Sequence, residues 1–257
     1  MPSCFDLSSR VAVVIGGTSG IGRAIALGLA EQGAEVVPTG RRSNLIEEVC
    51  TAVEAMGRRT LRQLTDVRDR QSVDSLRDTI LQKFGRIDIL VNAAGFTFRQ
   101  PTIDLREEQF SSILDTNLTG ALRSCQSFYE ALKASRNGRV INIASLSSFV
   151  AFYEVTAYCA SKTALLSLTR SLACEWAEDG ISVNAIAPGI FPTEMTTGII
   201  TGTPRGQELL TRTPMRRFGT PDELVGAAVL LASDGASFIT GQCIVVDGGF
   251  LASGVNS

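Results

Sequence analysis

The chain has 257 residues, 44% of them hydrophobic, and a formal net charge of −2 at pH 7, which predicts a single domain over 1–257 with a full core. The near-neutral charge and the scattered basic residues argue against nucleic acid or an anionic membrane as a partner. No apolar run approaches the roughly 18 residues of a membrane span, and the N-terminus lacks the pattern of a secretion signal, so we expect a cytoplasmic protein.

Short runs rich in β-branched residues alternate with helix-like stretches along the chain. Strands are predicted at 11–15, 35–37, 87–91, 140–144, 183–186 and 244–246. Because strands that alternate with helices form βαβ units, this order predicts an open, doubly wound α/β domain with parallel strands. Ligands bind such domains at the carboxyl ends of the strands.

A glycine-rich turn follows the first predicted strand and opens a helix-like stretch. Gly16, Gly20 and Gly22 lie in this turn, at a spacing that differs from the GxGxxG pattern. Glycine permits a tight turn and lets the backbone approach a phosphate, which the free N–H groups of the following helix attract. The strand before the turn and the helix after it favour dinucleotide binding over a purely structural turn.

The second predicted strand leads into "PTGRRSN", which bears on the choice of cofactor. An NAD site places an acidic residue about 20 residues after the glycine turn to hold the ribose 2′-hydroxyl, whereas a 2′-phosphate needs arginine. Here the chain has Gly40, Arg41 and Arg42. A guanidinium can bind a phosphate through two hydrogen bonds, so we predict a preference for NADP(H), with NAD(H) as the alternative.

Two polar residues, Asn117 and Ser145, are candidates for chemistry. Ser145 follows a predicted strand, so its hydroxyl emerges at the ligand-binding edge and could hold a carbonyl oxygen, although a serine there can also simply form a turn. Asn117 lies in a helix-like stretch, where an asparagine commonly points to solvent. Nucleophilic catalysis by Ser145 is not expected, because the chain contains no histidine to activate it.

The segment "AYCASK" places Tyr158 and Lys162 four residues apart in a predicted helix. Residues at this spacing share a helix face, so the Lys162 ammonium can lie beneath the Tyr158 phenol. At about 5 Å and an effective dielectric of about 20, the attraction is roughly 3 kcal/mol and would lower the tyrosine pKa from about 10 to about 8. Tyr158 is therefore a candidate proton donor and acceptor. The apolar stripe expected to lie against the sheet is Ala160, Ala164, Leu168, Leu172 and Trp176.

The cysteines form no metal-binding pattern. They make no CxxC pair, and without histidine a zinc site would need cysteines or carboxylates alone, so we predict no metal site. We interpret all six as buried thiols: Cys4, Cys50, Cys125, Cys159, Cys174 and Cys243.

Five motifs in this order make the chain resemble the short-chain dehydrogenase/reductase family over essentially its whole length. They are the glycine turn (TGxxxGxG in the family, with Ile15 here in place of the threonine), "NAAG" at 92–95, "NLTG" with its asparagine, the Ser-Tyr-Lys set, and "PG" at 188–189. The resemblance implies a Rossmann-type, mostly seven-stranded parallel sheet, a homotetramer or dimer, and hydride transfer between a nicotinamide and a CH–OH group. It also implies a catalytic tetrad of Asn117, Ser145, Tyr158 and Lys162, in which the asparagine binds a water that links the lysine to bulk solvent.

The resemblance further implies which residues bind the cofactor. Asp66 and Val67 would line the adenine, although Asp66 could equally cap a helix. Ile190 and Thr193 would hold the nicotinamide carboxamide. The whole cofactor-binding set is Gly16, Thr18, Ser19, Gly20, Ile21, Gly22, Arg41, Arg42, Asp66, Val67, Asn92, Ala93, Ala94, Gly95, Tyr158, Lys162, Pro188, Gly189, Ile190 and Thr193.

The substrate is inferred from other parts of the resemblance. The segment "NAAGFTFRQP" and a predicted substrate loop at about 190–217 are most similar to the gluconate 5-dehydrogenase-like branch, which acts on sugar acids and polyols. With Ser145 and Tyr158 at the reacting oxygen, Arg99 is a candidate for binding a substrate carboxylate. It could equally be an exposed loop residue or a subunit contact.

Two other functions fit the same motifs. A 3-oxoacyl carrier-protein reductase is disfavoured by Asp179, which stands where such reductases carry a second arginine besides Arg136, because an acidic carrier would be repelled. A non-catalytic, dinucleotide-binding regulatory protein is disfavoured by the intact tetrad.

Overall fold

The computed structural model describes residues 3–193 and 197–254. The strands are β1 (Val11–Ile15), β2 (Glu35–Thr39), β3 (Ile89–Asn92), β4 (Gly138–Ile143), β5 (Ile181–Pro188) and β6 (Cys243–Val246). Within the described residues, these six strands pair in parallel in the order β2-β1-β3-β4-β5-β6. The chain builds outward from β1 on one side and then returns to build on the other, so β1 and β3 flank a switch point where ligands bind.

Helices cover both faces of this sheet. They are α1 (Gly20–Glu31), α2 (Ser43–Ala55), α3 (Arg70–Phe84), α4 (Glu107–Leu114), α5 (Gly120–Ala134), α6 (Thr156–Trp176), α7 (Thr197–Ile200), α8 (Pro204–Arg212) and α9 (Val225–Ala232). Helices α1, α2 and α9 pack on one face, and α3, α5 and α6 pack on the other. The predicted doubly wound α/β fold is confirmed. Of the helices described, none is sufficiently long and apolar to span a bilayer.

Strand β1 shows why the sheet is buried on both faces. Ala12 and Val14 belong to the cluster under α1 and α9, whereas Val11, Val13 and Ile15 belong to the cluster under α3 and α5. Successive side chains of a strand point to opposite faces, so a continuous aliphatic run is what a sheet covered on both faces requires.

The prediction of seven strands is wrong by one strand for the described residues. Outside β2, the neighbouring segment makes a single bridge, between Gly40 and Leu64. The N–H of Val36 points outward and donates to the Arg59 carbonyl. Because N–H directions alternate along a strand, the nitrogen of Pro38 also faces outward, and proline has no hydrogen there to donate. The outer ladder is interrupted at that point, so a continuous seventh strand does not form.

Helix α6 buries a wider face than the predicted stripe. Leu168, Leu172 and Trp176 of that stripe pack against the cluster under the sheet, whereas Ala160 is exposed. The buried face also includes Ser161 and Thr169, whose hydroxyls donate to backbone carbonyls of the same helix. Polar groups satisfied in this way can pack against a sheet, which a pattern of apolar residues alone does not reveal.

The cysteines are less uniformly buried than predicted, although all six are free thiols. Cys50 and Cys125 are buried, Cys159 and Cys243 are half-buried, and Cys4 and Cys174 are exposed. The prediction of six buried thiols is therefore wrong for Cys4 and Cys174, which are exposed, and holds only partly for Cys159 and Cys243. Across residues 3–193 and 197–254, no three histidine, cysteine or acidic residues are grouped so that they could hold a metal ion.

Candidate active site

A cavity of about 640 Å³ opens at the carboxyl ends of the strands. The turn after β1 closes one end, the segments after β3, β4 and β5 line the middle, and α7 and α8 border the far end. Every predicted cofactor residue lines this cavity except Asn92. Asn92 is buried, and its side-chain amide donates to Asn142 Oδ1 at 2.9 Å, so it links β3 to β4 beneath the cavity.

The glycines after β1 let the turn pack closely against its neighbours, because a larger residue does not fit at two of these positions. Gly16 has a φ of +79°, and a β-carbon there would lie 2.5 Å from the Ala94 nitrogen. A β-carbon on Gly22 would lie 2.1 Å from the Gly16 carbonyl oxygen. The turn therefore packs backbone against backbone, and α1 begins there with its N–H groups at the cavity. This arrangement fits the phosphates of a dinucleotide.

Two arginines lie at the end of the cavity nearest β2. Both Arg41 and Arg42 are exposed and line the cavity. Arg42 Nη2 donates to Ser19 Oγ at 2.9 Å, so its side chain crosses from the start of α2 to the glycine turn. Gly40, at the position where an NAD site carries an acid, has no side chain. A 2′-phosphate would meet two guanidinium groups at this end and no acidic group at position 40.

Asp66 lies at the same end but is not a free acid. Arg68 holds its carboxylate at 2.8 Å, and this hydrogen bond lowers the pKa of Asp66. Asp66 and Val67 both line the cavity, as the resemblance implies. The residue that caps the following helix is Asp69, whose side chain accepts from the backbone N–H of Gln71, so the capping interpretation of Asp66 is wrong.

Ser145, Tyr158 and Lys162 come together on the wall of the cavity. Ser145 follows β4, and the other two lie on one face at the start of α6. Lys162 Nζ is 5.7 Å from the centroid of the Tyr158 ring and donates to the Ile143 carbonyl at 2.7 Å. Lys162 thus lies beneath the ring, as the spacing predicts, and its hydrogen bond ties α6 to the end of β4, next to Ser145.

Asn117 lies behind this group, in a π-helix at Asp115–Thr119 between α4 and α5, and is 1% exposed. Its Oδ1 accepts from the Phe96 N–H at 3.0 Å, and its Nδ2 donates to the Phe96 carbonyl at 3.1 Å and to Ser161 Oγ at 3.2 Å. A β-carbon on Gly95 would lie 3.2 Å from Asn117 Oδ1 and 3.5 Å from Lys162 Nζ. Asn117 does not point to solvent, and its role in a water relay stays a prediction.

Burial changes the protonation expected for the Tyr158–Lys162 pair. It raises the pKa of Tyr158, although a hydrogen bond with Ser145 opposes the shift. It lowers the pKa of Lys162 to about 8. The expected net lowering of the tyrosine pKa is therefore wrong for the protein by itself, because burial of the phenol outweighs the hydrogen bond with Ser145.

Apolar side chains line most of the far end of the cavity, together with two arginines. Arg99 forms an ion pair with Glu154. Arg205, at the start of α8, reaches the Tyr153 carbonyl at 3.4 and 3.5 Å from its two terminal nitrogens. The sequence pattern drew attention to Arg99 because it follows "NAAG", but Arg205 had no motif to mark it. The apolar walls are Phe96, Phe152, Val155, Ile200 and Leu209. Within the predicted substrate loop, residues 194–196 lie outside the described residues.

Known proteins share the sequence and the fold of this chain. A family model described as enoyl-(acyl carrier protein) reductase matches residues 16–251. The 2-dehydro-3-deoxy-D-gluconate 5-dehydrogenase of Escherichia coli (strain K12) is 38% identical, over 97% of this chain and 98% of its own length. The D-threitol dehydrogenase of Mycolicibacterium smegmatis is 38% identical, over 96% and 94%. The crystal structure of a gluconate 5-dehydrogenase from Burkholderia cenocepacia J2315, in complex with NADP and tartrate, is 34% identical over 97% of this chain and 98% of that chain, with a TM-score of 0.93.

The chain belongs to the short-chain dehydrogenase/reductase family. As a short-chain dehydrogenase/reductase, it is an NAD(P)-dependent oxidoreductase that acts on CH–OH groups. The predicted family, fold class and reaction class are confirmed, and the alternative of a non-catalytic regulatory protein is set aside.

The charges expected to disfavour a carrier protein lie away from the cavity of this short-chain dehydrogenase/reductase. Arg136 precedes β4 and Asp179 precedes β5. Both therefore lie at the amino ends of strands, whereas the cavity lies at the carboxyl ends. Asp179 also accepts from the Tyr129 hydroxyl at 2.5 Å and pairs with Lys133 at 2.8 Å. Within one chain, these residues do not bear on the choice of substrate.

Proposed function

We propose that this enzyme interconverts a secondary alcohol and a ketone on a small sugar acid, with NADP(H) as its cofactor. The charge of the cavity is the observation that carries this proposal. Its basic lining residues are Arg41, Arg42, Arg99, Lys162 and Arg205. Among the described residues that line it, Asp66 is the one acid, and Arg68 neutralises it. Such a cavity favours an anionic cofactor at one end and an anionic substrate at the other.

The relatives support a hydroxylated substrate and leave one alternative within the proposal. The E. coli and B. cenocepacia proteins are named for sugar acids, and the latter was crystallised with tartrate, a hydroxy dicarboxylate. The M. smegmatis relative is named for D-threitol, a neutral polyol. A neutral polyol is therefore the alternative substrate class, and the two classes differ in the carboxylate.

The side chains of the site have distinct proposed roles. When bound, the cofactor supplies or accepts the hydride. Tyr158 donates a proton to the ketone oxygen or accepts one from the alcohol, and Ser145 donates a hydrogen bond to the same oxygen. Lys162 lies under the Tyr158 ring, so its positive charge balances the phenolate that forms when the proton leaves. Asn117 holds the loop at Phe96 against α6 and is the candidate ligand of the relay water.

The preference for NADP(H) over NAD(H) rests on the end of the cavity nearest β2. An NAD enzyme of this fold uses an acid to hold the ribose 2′-hydroxyl. The chain instead offers Arg41 and Arg42 after Gly40, and Arg42 is already in contact with Ser19 of the glycine turn. These groups would bind a 2′-phosphate, and none would repel it.

Several sequence-based expectations carry over into this proposal. We propose a single domain over 1–257, a substrate loop at about 190–217, a homotetramer or dimer, and a cytoplasmic enzyme with no nucleic-acid or membrane partner. Arg99 is retained as a candidate contact for the substrate carboxylate.

The test is turnover by the purified enzyme with NADP(H) and NAD(H) across a panel of sugar acids, neutral polyols and acyl ketones. We expect the highest kcat/KM with a sugar acid and NADP(H). Efficient reduction of a carrier-bound acyl ketone, together with no turnover of any sugar acid or polyol, would favour the 3-oxoacyl carrier-protein reductase instead.

A further inference from the structure

The two arginines at the substrate end of the cavity have different surroundings. The charge of Arg99 is already balanced, because Glu154 forms an ion pair with it. Arg205 is half-buried, and in the described part of the chain no carboxylate lies within ion-pair distance of its guanidinium. Its contacts to the Tyr153 carbonyl, at 3.4 and 3.5 Å, are at the outer limit of a hydrogen bond.

The start of α8, which carries Arg205, is held by a side-chain cap and by close packing against α7. The Thr203 hydroxyl caps the helix by accepting from the Gly206 N–H at 3.0 Å. A β-carbon on Gly206 would lie 1.7 Å from the Ile200 carbonyl oxygen, so α8 and α7 meet in close backbone contact. Helix α8 is therefore held on both sides of Arg205.

Helix α8 also connects Arg205 to the catalytic group. Leu209, one turn after Arg205 and on the same face, is buried in a cluster with Leu146. Leu146 is the residue after Ser145, so the cluster sets the position of Arg205 relative to the serine. Arg205 and Leu209 both line the cavity that contains Ser145 and Tyr158.

The electrostatics of Arg205 favour an incoming anion. Burial and the nearby charge of Arg99 both lower the pKa of the Arg205 guanidinium. The charges of Glu154 and Glu208 oppose this lowering of the pKa, but their contributions are smaller. A carboxylate that entered the cavity would relieve both effects, and a planar guanidinium can bind it through two hydrogen bonds.

We propose that Arg205 binds the carboxylate of the substrate and sets the preference for sugar acids over neutral polyols; this inference rests on the proposed function. With the carboxylate at Arg205, the hydroxyl to be oxidised lies at Ser145 and Tyr158. Arg99, held by Glu154, adds a secondary contribution. A neutral polyol would leave Arg205 without an anionic partner.

The experiment compares two ligands that differ only at one carbon, D-gluconate and D-glucitol. Each is titrated calorimetrically into the enzyme saturated with NADP⁺, in a Tyr158→Phe background that stops turnover during the measurement. The variants are Arg205→Gln, Arg99→Gln and, as a matched control, Arg212→Gln. Arg212 is on the same helix but is exposed, contacts the ring of Phe250 and does not line the cavity.

With Arg205 present, we expect D-gluconate to bind more tightly than D-glucitol by about 10- to 100-fold. Arg205→Gln should remove this difference by weakening D-gluconate alone, Arg99→Gln should reduce it less, and Arg212→Gln should retain it. Equal affinity for the two ligands, no binding of D-gluconate, equal weakening of both by Arg205→Gln, or a larger loss in Arg99→Gln would each overturn the proposal.

A second measurement separates this inference from the proposed function. In enzyme with Tyr158 intact, Arg205→Gln should raise KM for a sugar acid by about 10- to 100-fold and leave kcat/KM for a neutral polyol within a few-fold. If the wild-type enzyme turns over polyols but does not prefer substrates with a carboxylate, the proposed reaction class is supported and the proposed role of Arg205 is refuted. A wild-type enzyme that turns over neither class refutes the proposed function, and the calorimetric comparison still decides what Arg205 binds.

Discussion

The dinucleotide end and the substrate end of the cavity are built from different kinds of group. At the dinucleotide end, the glycine turn is largely backbone from one stretch, 15–22, where neither Gly16 nor Gly22 has space for a β-carbon, and the side chains of Arg41 and Arg42 border it. The substrate end is made of side chains from three stretches far apart in the chain, 96–99, 145–158 and 200–209. In a site built from closely packed backbone, adding even one carbon atom at a glycine disturbs the whole turn. In a site built from side chains, each residue can be substituted separately.

This difference indicates which part of the reactants each end of the cavity recognises. The glycine turn at the dinucleotide end suits groups that all dinucleotides share, because N–H groups and a helix N-terminus recognise phosphate without further discrimination. The side-chain end distinguishes one substrate from another, because each wall residue and each charge comes from a separate segment. Substitutions at the two ends should therefore have different effects on stability, cofactor affinity and turnover.

The largest expected effect is at the substrate end, from Tyr158→Phe. Removing the hydroxyl removes the proton donor, so kcat should fall by about 10²–10⁴-fold. The phenyl ring keeps its place on α6, so NADPH affinity, measured by fluorescence titration, should change by no more than a few-fold. Near-normal turnover of this variant would show that Tyr158 is not the proton-transfer group.

The second effect concerns Lys162, where the two ends meet. Its folded pKa, about 8, is below the ordinary value of 10.5, so between these values the unfolded chain binds more protons than the folded protein. The free energy of unfolding should then rise with pH in this window. Relative to Lys162→Met, wild type should gain about 2–3 kcal/mol from pH 7 to pH 10, at about 1.36 kcal/mol per pKa unit.

Chemical denaturation of wild type and Lys162→Met across this pH range measures the difference directly. Groups other than Lys162 cancel in the subtraction, and the raised pKa of Tyr158 acts only near and above pH 10. Parallel stability curves for the two proteins would mean that the lysine is not held with a lowered pKa. Activity of Lys162→Ala should also be lost, together with dinucleotide affinity.

At the dinucleotide end, Gly22→Ala should act through space alone. Its β-carbon would lie 2.1 Å from the Gly16 carbonyl oxygen, so the turn must shift. We expect a loss of about 1–3 kcal/mol in the free energy of unfolding and a marked loss of NADPH affinity. Gly226→Ala in α9 is the control, because nothing lies within 4 Å of its added carbon. Similar behaviour of the two variants would refute the close backbone packing.

The smallest expected effect comes from the arginine side chains at the dinucleotide end. Arg42 is exposed, so solvent weakens its contribution, and Arg42→Gln should lower the NADP-to-NAD ratio of kcat/KM by about tenfold. Arg41→Gln, measured in parallel, tells which guanidinium carries the preference. If the NADP-to-NAD ratio of kcat/KM is unaltered in both variants, the proposed role of the arginines in cofactor preference is contradicted.

The extent to which the sequence predicts this molecule follows the same division. The glycine turn, the alternation of strands with helices and the Tyr158–Lys162 pair could be predicted directly, because each depends on residues close together in the chain. The seventh strand was overestimated because the effect of Pro38 depends on which way its nitrogen faces. The buried face of α6 was predicted too narrowly, because Ser161 and Thr169 satisfy their hydroxyls within the helix and are buried beside the apolar stripe.

The sequence by itself determined the α/β order of this protein, its glycine turn and the spacing of its candidate catalytic pair, Tyr158 and Lys162. Local spacing carries these features: alternation in strands, three or four residues in helices, and glycine where no β-carbon fits. Only the tertiary structure decided that burial raises the pKa of Tyr158, that Glu154 forms an ion pair with Arg99, and that Arg205 lines the cavity. These features depend on desolvation and on contacts between distant segments, which exist only once the chain has packed.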